Sequence, residues 1–200
     1  FVEQLAKDER LRSLSFQNVK VVPFLGTPGA IQSDSWNTTT YSNTLATKVG
    51  NLLHCASYNL SAPMYVEGTK EKELIESIDE IAKVLHMAET ADIALIGIGS
   101  MQDDSSIIKA EIRTREEYKE LVRKGAVGEI VGRIYDKNGQ TVDEDLKRKM
   151  VGISLDKIAK IPVRVGMSYG KDKIEAIKGA IAGGLVLSLI HISEPTRRVV

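Results

Sequence analysis

Three short stretches carry residues that could do chemistry together: FLGTPG at 24–29, IGIGSM at 96–101 and MSYGKDK at 167–173. Each sets glycine at the end of an apolar run, where backbone without a Cβ can approach a bound group closely. One such end is a turn and no more, and a lone Gly-x-Gly is weak evidence. Three of them along one edge of a parallel sheet would gather loop N–H groups, and the third adds lysines at a helix start. That combination suits an anion such as phosphate. Lys171 and Lys173 are the available cations; Lys171 reads as a surface charge, which leaves Lys173.

Glu129 follows Ala126, Val127 and Gly128 at the entry of a strand. A carboxylate there can accept paired hydrogen bonds from vicinal hydroxyls without being a catalyst, or it is simply a solvated strand-edge charge. Asp103 and Asp104 look like a carboxylate pair for acid–base work, but adjacent carboxylates on a loop more often face water. His54 and His86 sit in helical stretches with no second ligand at useful spacing, so zinc chemistry has no support. Cys55, within the apolar stretch NLLHCA, is the single cysteine and cannot form an internal disulfide, which suits a reducing cytosol. No catalytic residue, metal or cofactor is implied. Trp36 and Tyr41 flank a Thr run and would either wall a pocket or pack its lid.

The elements that must position these residues alternate. VKVVPFL at 19–25 reads as a strand, followed by a loop rich in Gly, Pro, Ser and Asp over 26–36. Ser42 opens a helix to about residue 56, with Leu45, Val49, Leu52 and Leu53 on its apolar face. Residues 63–66 form a short extended piece. A Lys/Glu-rich helical region over 71–89 leads into a strand at 92–96 within ADIALIGIGS. T-R-E-E starts a helix over 114–124 with a capping pattern. Residues 128–135 form a strand, which the Asn-Gly turn in DKNGQ (136–140) closes as a hairpin. A short helix at 155–161, a strand at 163–170 and a helix at 171–182 complete the order. The alternation argues for an α/β fold with a mainly parallel sheet and a hairpin excursion around Asn138.

Composition agrees with one ordinary globular domain: 200 residues, 42% hydrophobic and 27% charged, enough chain to bury a proper core. Lys+Arg and Asp+Glu both number 27, so no global basic field draws nucleic acid to this part of the chain. No apolar stretch approaches the ~18 residues of a membrane span, and the chain is read as cytoplasmic. Both ends read as cut. Residues 1–14 are helical in pattern yet begin without a cap or a preceding strand. LSLIHISEPTR at 187–197 breaks the register of the fold and looks like translated sequencing-adapter read-through, so residues 187–200, with His191, are set aside as a non-native tail.

Four stretches in order, ADIALIGIGS, GAVGEIVGRIYDKNGQ, VGISLDKIAKIP and GKDKIEAIKGAIAGGL, resemble the effector-binding domain of SorC-type (SorC/DeoR-like) bacterial transcriptional regulators. NTLATKVG followed by LSAPMYV fits the same family. Each motif is modest, while their order and spacing over most of 19–185 are specific. The resemblance implies a Rossmann-like sheet related to sugar-phosphate isomerases and deaminases, with residues 1–186 forming one effector domain that is incomplete at its amino end. It implies a sugar or sugar-phosphate effector at the strand ends, a homo-oligomer (dimer or tetramer), and operator DNA bound through a helix-turn-helix domain that this sequence does not contain. The alternative on the same fold is a sugar-phosphate isomerase or deaminase, which needs a positioned acid/base set beyond Glu129.

The resemblance also assigns ligand contacts. Gly26, with Thr27 beside it, falls in the family's Gly-Gly loop, and Asn43 matches the Asn that opens the next helix. Gly97, Gly99 and Ser100 match the Gly-Ile-Gly loop, Glu129 the acid that meets sugar hydroxyls, and Lys173 the lysine that meets phosphate. Two positions depart from the pattern: relatives often carry Gly at Thr27 and a polar or basic residue at Leu25. Both weaken the case for a second phosphate on the effector. The Gly/Thr-rich loop expected after a first strand would lie upstream of Phe1.

Overall fold

Period-two burial marks the strand within ADIALIGIGS: Ala94 and Ile96 are buried while Ile93 and Leu95 face outward. The computed structural model describes residues 18–28, 41–102 and 105–191, with Lys7 and Phe16. In it the first two strands, β1 (Lys20–Val21) and β2 (Ala56–Ser57), pair in parallel. β3 (Ile93–Gly97) pairs in parallel with β7 (Val163–Ser168), from Ile93 opposite Val163 to Gly97 opposite Met167. β7 pairs in parallel with β8 (Ser188–His191). β4 (Gly99–Ser100), β5 (Ala126–Ile130) and β6 (Arg133–Asp136) form an antiparallel ribbon. Buried Ile98 joins β3 to β4, and its N–H donates to Met167 O at 3.0 Å, so the backbone passes between sheets across one residue.

The helices supply the covering layers. α1 (Ser42–Leu53) ends where His54 turns left-handed, at φ 50, one turn earlier than the apolar pattern suggests. The 71–89 region divides into α2 (Thr69–Glu76) and α3 (Asp79–Glu89). Ile81, Leu85 and Ala88 of α3 pack with Ala94 and Ile96 of β3 and with Ala176 and Ala180 of a later helix. Each large aliphatic side chain so buried contributes about 1.5–3 kcal/mol. A second cluster joins Leu25, Met64, Ile107, Tyr118, Leu121, Leu146 and Met150. α4 (Ser106–Lys109), α5 (Arg115–Arg123) and α6 (Glu144–Lys149) contribute to this second cluster, and α7 (Leu155–Ile158) to the first. A 3-10 turn, Lys171–Lys173, leads into α8 (Ile174–Ala182).

Three details differ from the sequence pattern. Regular pairing of the 19–25 stretch is limited to Lys20–Val21 because Pro23 has no N–H to donate; beyond it only single bridges form, Leu25 to Gly152 and Thr27 to Pro63. The 128–135 stretch is two strands, not one, joined at Val131 and Gly132, whose φ values of 51 and 66 reverse the chain. Arg133, fully buried, clamps that reversal by donating to Val131 O (2.9 Å), Met150 O (3.3 Å) and Gly152 O (3.0 Å). Burial pulls its guanidinium down to about 10. The Asn138–Gly139 turn is present as well, but it closes on a single bridge, Tyr135 to Thr141. At the other end of the chain, Ser188–His191 forms β8 behind buried Leu185 and Val186.

Candidate functional site

Four of the candidate residues come together where β4 meets β5. Gly99 lies directly across from Glu129, and a Cβ on Gly99 would sit 2.5 Å from Glu129 Cγ. Glycine is therefore what lets the carboxylate lie over the strand. Glu129 is 9% exposed. Its Oε2 accepts from Ser105 Oγ at 2.5 Å and from Tyr118 OH at 3.3 Å. Tyr118 is delivered by α5, where Tyr118 and Leu121, three apart, are the buried positions. The start of α5 is set by a reciprocal cap: Thr114 Oγ1 accepts the Glu117 N–H at 3.2 Å, and Glu117 Oε2 accepts the Thr114 N–H at 2.8 Å.

Ser100 occupies the next position of β4, opposite Gly128, and so points to the other face of the ribbon. A Cβ on Gly128 would meet Tyr135 OH and Ala176 of α8, which places α8 on that face. Here Ser100 Oγ donates to Asp172 Oδ2 at 2.8 Å and accepts from Lys173 Nζ at 3.0 Å. The Ser100 hydroxyl, with Lys173 behind it, holds the Asp172 carboxyl below the usual range. Burial, and then the Glu129 charge, push the Tyr135 phenol up, and its OH donates to Ala176 O at 2.9 Å. Thus one short strand separates an acceptor pole at Glu129 from a cationic pole at Lys173. Tyr118 OH also reaches the Ser100 carbonyl, at 3.5 Å, so Ser100 touches both sides.

The other candidates are placed differently. Gly97 ends β3 in the open: a Cβ there would meet nothing within 4 Å. Gly26 and Thr27 run along the 62–64 segment. Gly26 has no room for a side chain, since a Cβ would lie 2.4 Å from Pro63 O, while Thr27 N–H donates to Ala62 O at 2.9 Å and Thr27 O accepts from Met64 N at 2.7 Å. Asn43 grips the Leu60 backbone from both sides, Nδ2 to Leu60 O at 3.1 Å and Leu60 N to Oδ1 at 2.9 Å. Those contacts organise the loop carrying Leu60. Leu25 is buried in the second cluster, which accounts for an apolar residue at that position. Trp36, Asp103 and Asp104 lie outside the described residues.

The residue patterns did not single out Ser105, Tyr118, Asp172 and Ser168. The first three reach partners 24, 11 and 72 residues away, and no local spacing encodes such contacts. Ser168 Oγ is buried at the carboxyl end of β7 and has no hydrogen-bond partner among the described residues. No group of three or more His, Cys, Asp or Glu among the described residues could hold a metal ion. No helix among them is long and apolar enough to cross a membrane. A cavity of about 120 Å³ beside Gly139, Gln140, Asp156 and Gly183 contains none of the candidate residues.

The architecture is that of an α/β ligand domain whose strand ends carry a hydroxyl-fed carboxylate and a lysine turn. More particularly, the chain belongs to the Sugar-bind family, a sugar-binding domain, whose model matches residues 4–199. It is 32% identical over 149 residues to the transcriptional regulator LsrR of Enterobacter sp. (strain 638), a match covering 73% of this chain and 46% of that one. LsrR of Escherichia coli O9:H4 (strain HS) is 32% identical over 148 residues, 72% of this chain and 47% of that one. The chain spans about half the length of the curated relatives it matches. The full-length sorbitol operon regulator SorC from Klebsiella pneumoniae superposes with a TM-score of 0.82 at 25% identity, over 96% of this chain and 61% of that one. A DeoR family transcriptional regulator from Listeria monocytogenes shares the fold, with a TM-score of 0.77 at 23% identity over 96% and 79% of the two chains. The SorC-type resemblance read from the motifs is borne out, and with it the α/β class and the mainly parallel pairing.

Proposed function

We propose that this domain binds a sugar phosphate as the effector of a DNA-binding transcriptional regulator that controls carbohydrate-metabolism genes. One observation carries the reading: Glu129 and the Lys173–Ser100 pair flank one two-residue strand that begins just after the open Gly97. A ligand with hydroxyls at one end and phosphate at the other can straddle that strand end, giving hydroxyl donors to the carboxylate and an anion to the ammonium. Gly26, Thr27 and Asn43 belong to the proposed site through the 60–64 segment that they hold. The family match and the regulator relatives support a sugar-type effector. Effector binding would shift the population between two states of a cytoplasmic homo-oligomer that present a helix-turn-helix to operator DNA differently.

An isomerase or deaminase on the same fold is less well supported. Glu129 accepts from two hydroxyls, those of Ser105 and Tyr118, a setting that suits an acceptor of hydrogen bonds more than a base working on carbon. The test is a thermal-shift screen of the intact protein against a sugar-phosphate panel. A ligand that binds only the folded state adds about 2.7 kcal/mol at a hundredfold excess over its Kd. A specific upward shift with one member, and no turnover of it, is expected. Silence across the panel, or conversion of the ligand, would overturn the reading.

A further inference from the structure

The cation of the proposed phosphate site already has an anion. Asp172 Oδ2 accepts from Ser100 Oγ at 2.8 Å and lies 3.6 Å from Lys173 Nζ. Lys173 Nζ donates to the same Ser100 Oγ at 3.0 Å, so three side chains close a ring. The backbone is shaped for this. Gly170 adopts φ 97, and a Cβ there would lie 2.4 Å from Asp172 Oδ1. Gly170 thus supplies both the left-handed entry to the turn and the space that the carboxylate occupies. Held below the usual carboxylate range by its partners, Asp172 is ionised at neutral pH.

We propose that Asp172 is an internal competitor for the phosphate site: its carboxylate occupies Ser100 and Lys173 when no ligand is bound, and an incoming phosphate must displace it. The proposal rests on the reading that Lys173 meets phosphate. The Asp172 side chain is 47% exposed and that of Lys173 20%, so the carboxylate can swing into water while the ammonium stays in place. A half-exposed ion pair is weak, whereas a phosphate dianion makes charge-assisted bonds to both Lys173 and Ser100. A ligand carrying only a carboxylate would exchange like for like and gain little. Asp172 therefore sets a threshold that favours phosphorylated sugars over sugar acids.

The test is calorimetric titration of inorganic phosphate into the intact protein and into Asp172→Asn, Asp172→Ala, Lys173→Ala and the double variant Asp172→Asn/Lys173→Ala, each checked by its melting curve. Both Asp172 variants should bind phosphate about fivefold more tightly than the parent, the scale of releasing one partly exposed ion pair. The gain should vanish in the double variant. If the parent binds, Lys173→Ala weakens binding and neither Asp172 variant tightens it, the competitor is overturned while the site reading stands. If Lys173→Ala binds like the parent, or none of the five proteins binds phosphate, the site reading falls and the competitor with it.

Discussion

Glu129 and Lys173 flank one short strand with opposite charges, and the chain holds them in opposite ways. Glu129 is 9% exposed, under the second hydrophobic cluster's Tyr118, with hydroxyl donors brought to it by α5 and by the turn before α4. Lys173 sits on a three-residue 3-10 turn entered through a left-handed glycine, and its ammonium meets the neighbouring Asp172 and Ser100. The acidic pole is thus built into the core and preformed. The basic pole rests on a turn whose carboxylate is half-exposed, where the proposed exchange of one anion for another would leave the core untouched. The difference predicts that changes at the first cost stability and changes at the second cost affinity.

The largest effect should come from Glu129→Ala. Removing the acceptor takes from the Ser105 and Tyr118 hydroxyls their carboxylate partner in a buried setting, at roughly 1.5–3 kcal/mol for bonds to a charged group. Urea denaturation reads this; a loss below ~0.5 kcal/mol would put Glu129 in the same class as Lys173 and dissolve the contrast. Gly99→Ala tests the same pole from the other strand, since the new methyl would meet Glu129 Cγ at 2.5 Å. Overpacking of that kind costs about 1–3 kcal/mol, and the displaced carboxylate should lower affinity for sugar hydroxyls as well; a neutral melt with full binding would show that the strands part easily. Thr114→Ala removes the cap of the helix carrying Tyr118 and should cost about 1 kcal/mol, measured by thermal unfolding, with unchanged stability counting against the capping box as the anchor of α5. Smallest of all, Lys173→Ala should change stability by less than ~0.5 kcal/mol; a larger loss would mean that the turn is structural.

Much of this contrast was legible from residues alone where the signal is local. T-R-E-E marks the start of α5, the apolar run before Gly97 marks β3, and the capping box and parallel register follow. The hairpin shows where local signals run out. Asn138–Gly139 has the residue types of a tight reversal, while Val131 does not, yet Val131 takes φ 51 because Arg133 binds its carbonyl and those of Met150 and Gly152. Likewise the family motif points at Glu129, but nothing near it in sequence names Ser105 or Tyr118 as the groups that hold it. Asp172 was hidden for a different reason: a carboxylate between two lysines reads as a solvated charge until the strand carrying Ser100 is laid against it.

The central claim is that one ligand uses both poles. Its most direct measurement is calorimetry of the panel's best sugar phosphate and of inorganic phosphate on the parent, Lys173→Ala and Glu129→Gln. Lys173→Ala should weaken both ligands by roughly 1.5–3 kcal/mol, about tenfold to a hundredfold. Glu129→Gln should weaken the sugar phosphate and leave inorganic phosphate nearly unchanged. If both substitutions leave every affinity as it was while Lys171→Ala abolishes binding, the two poles are not the site.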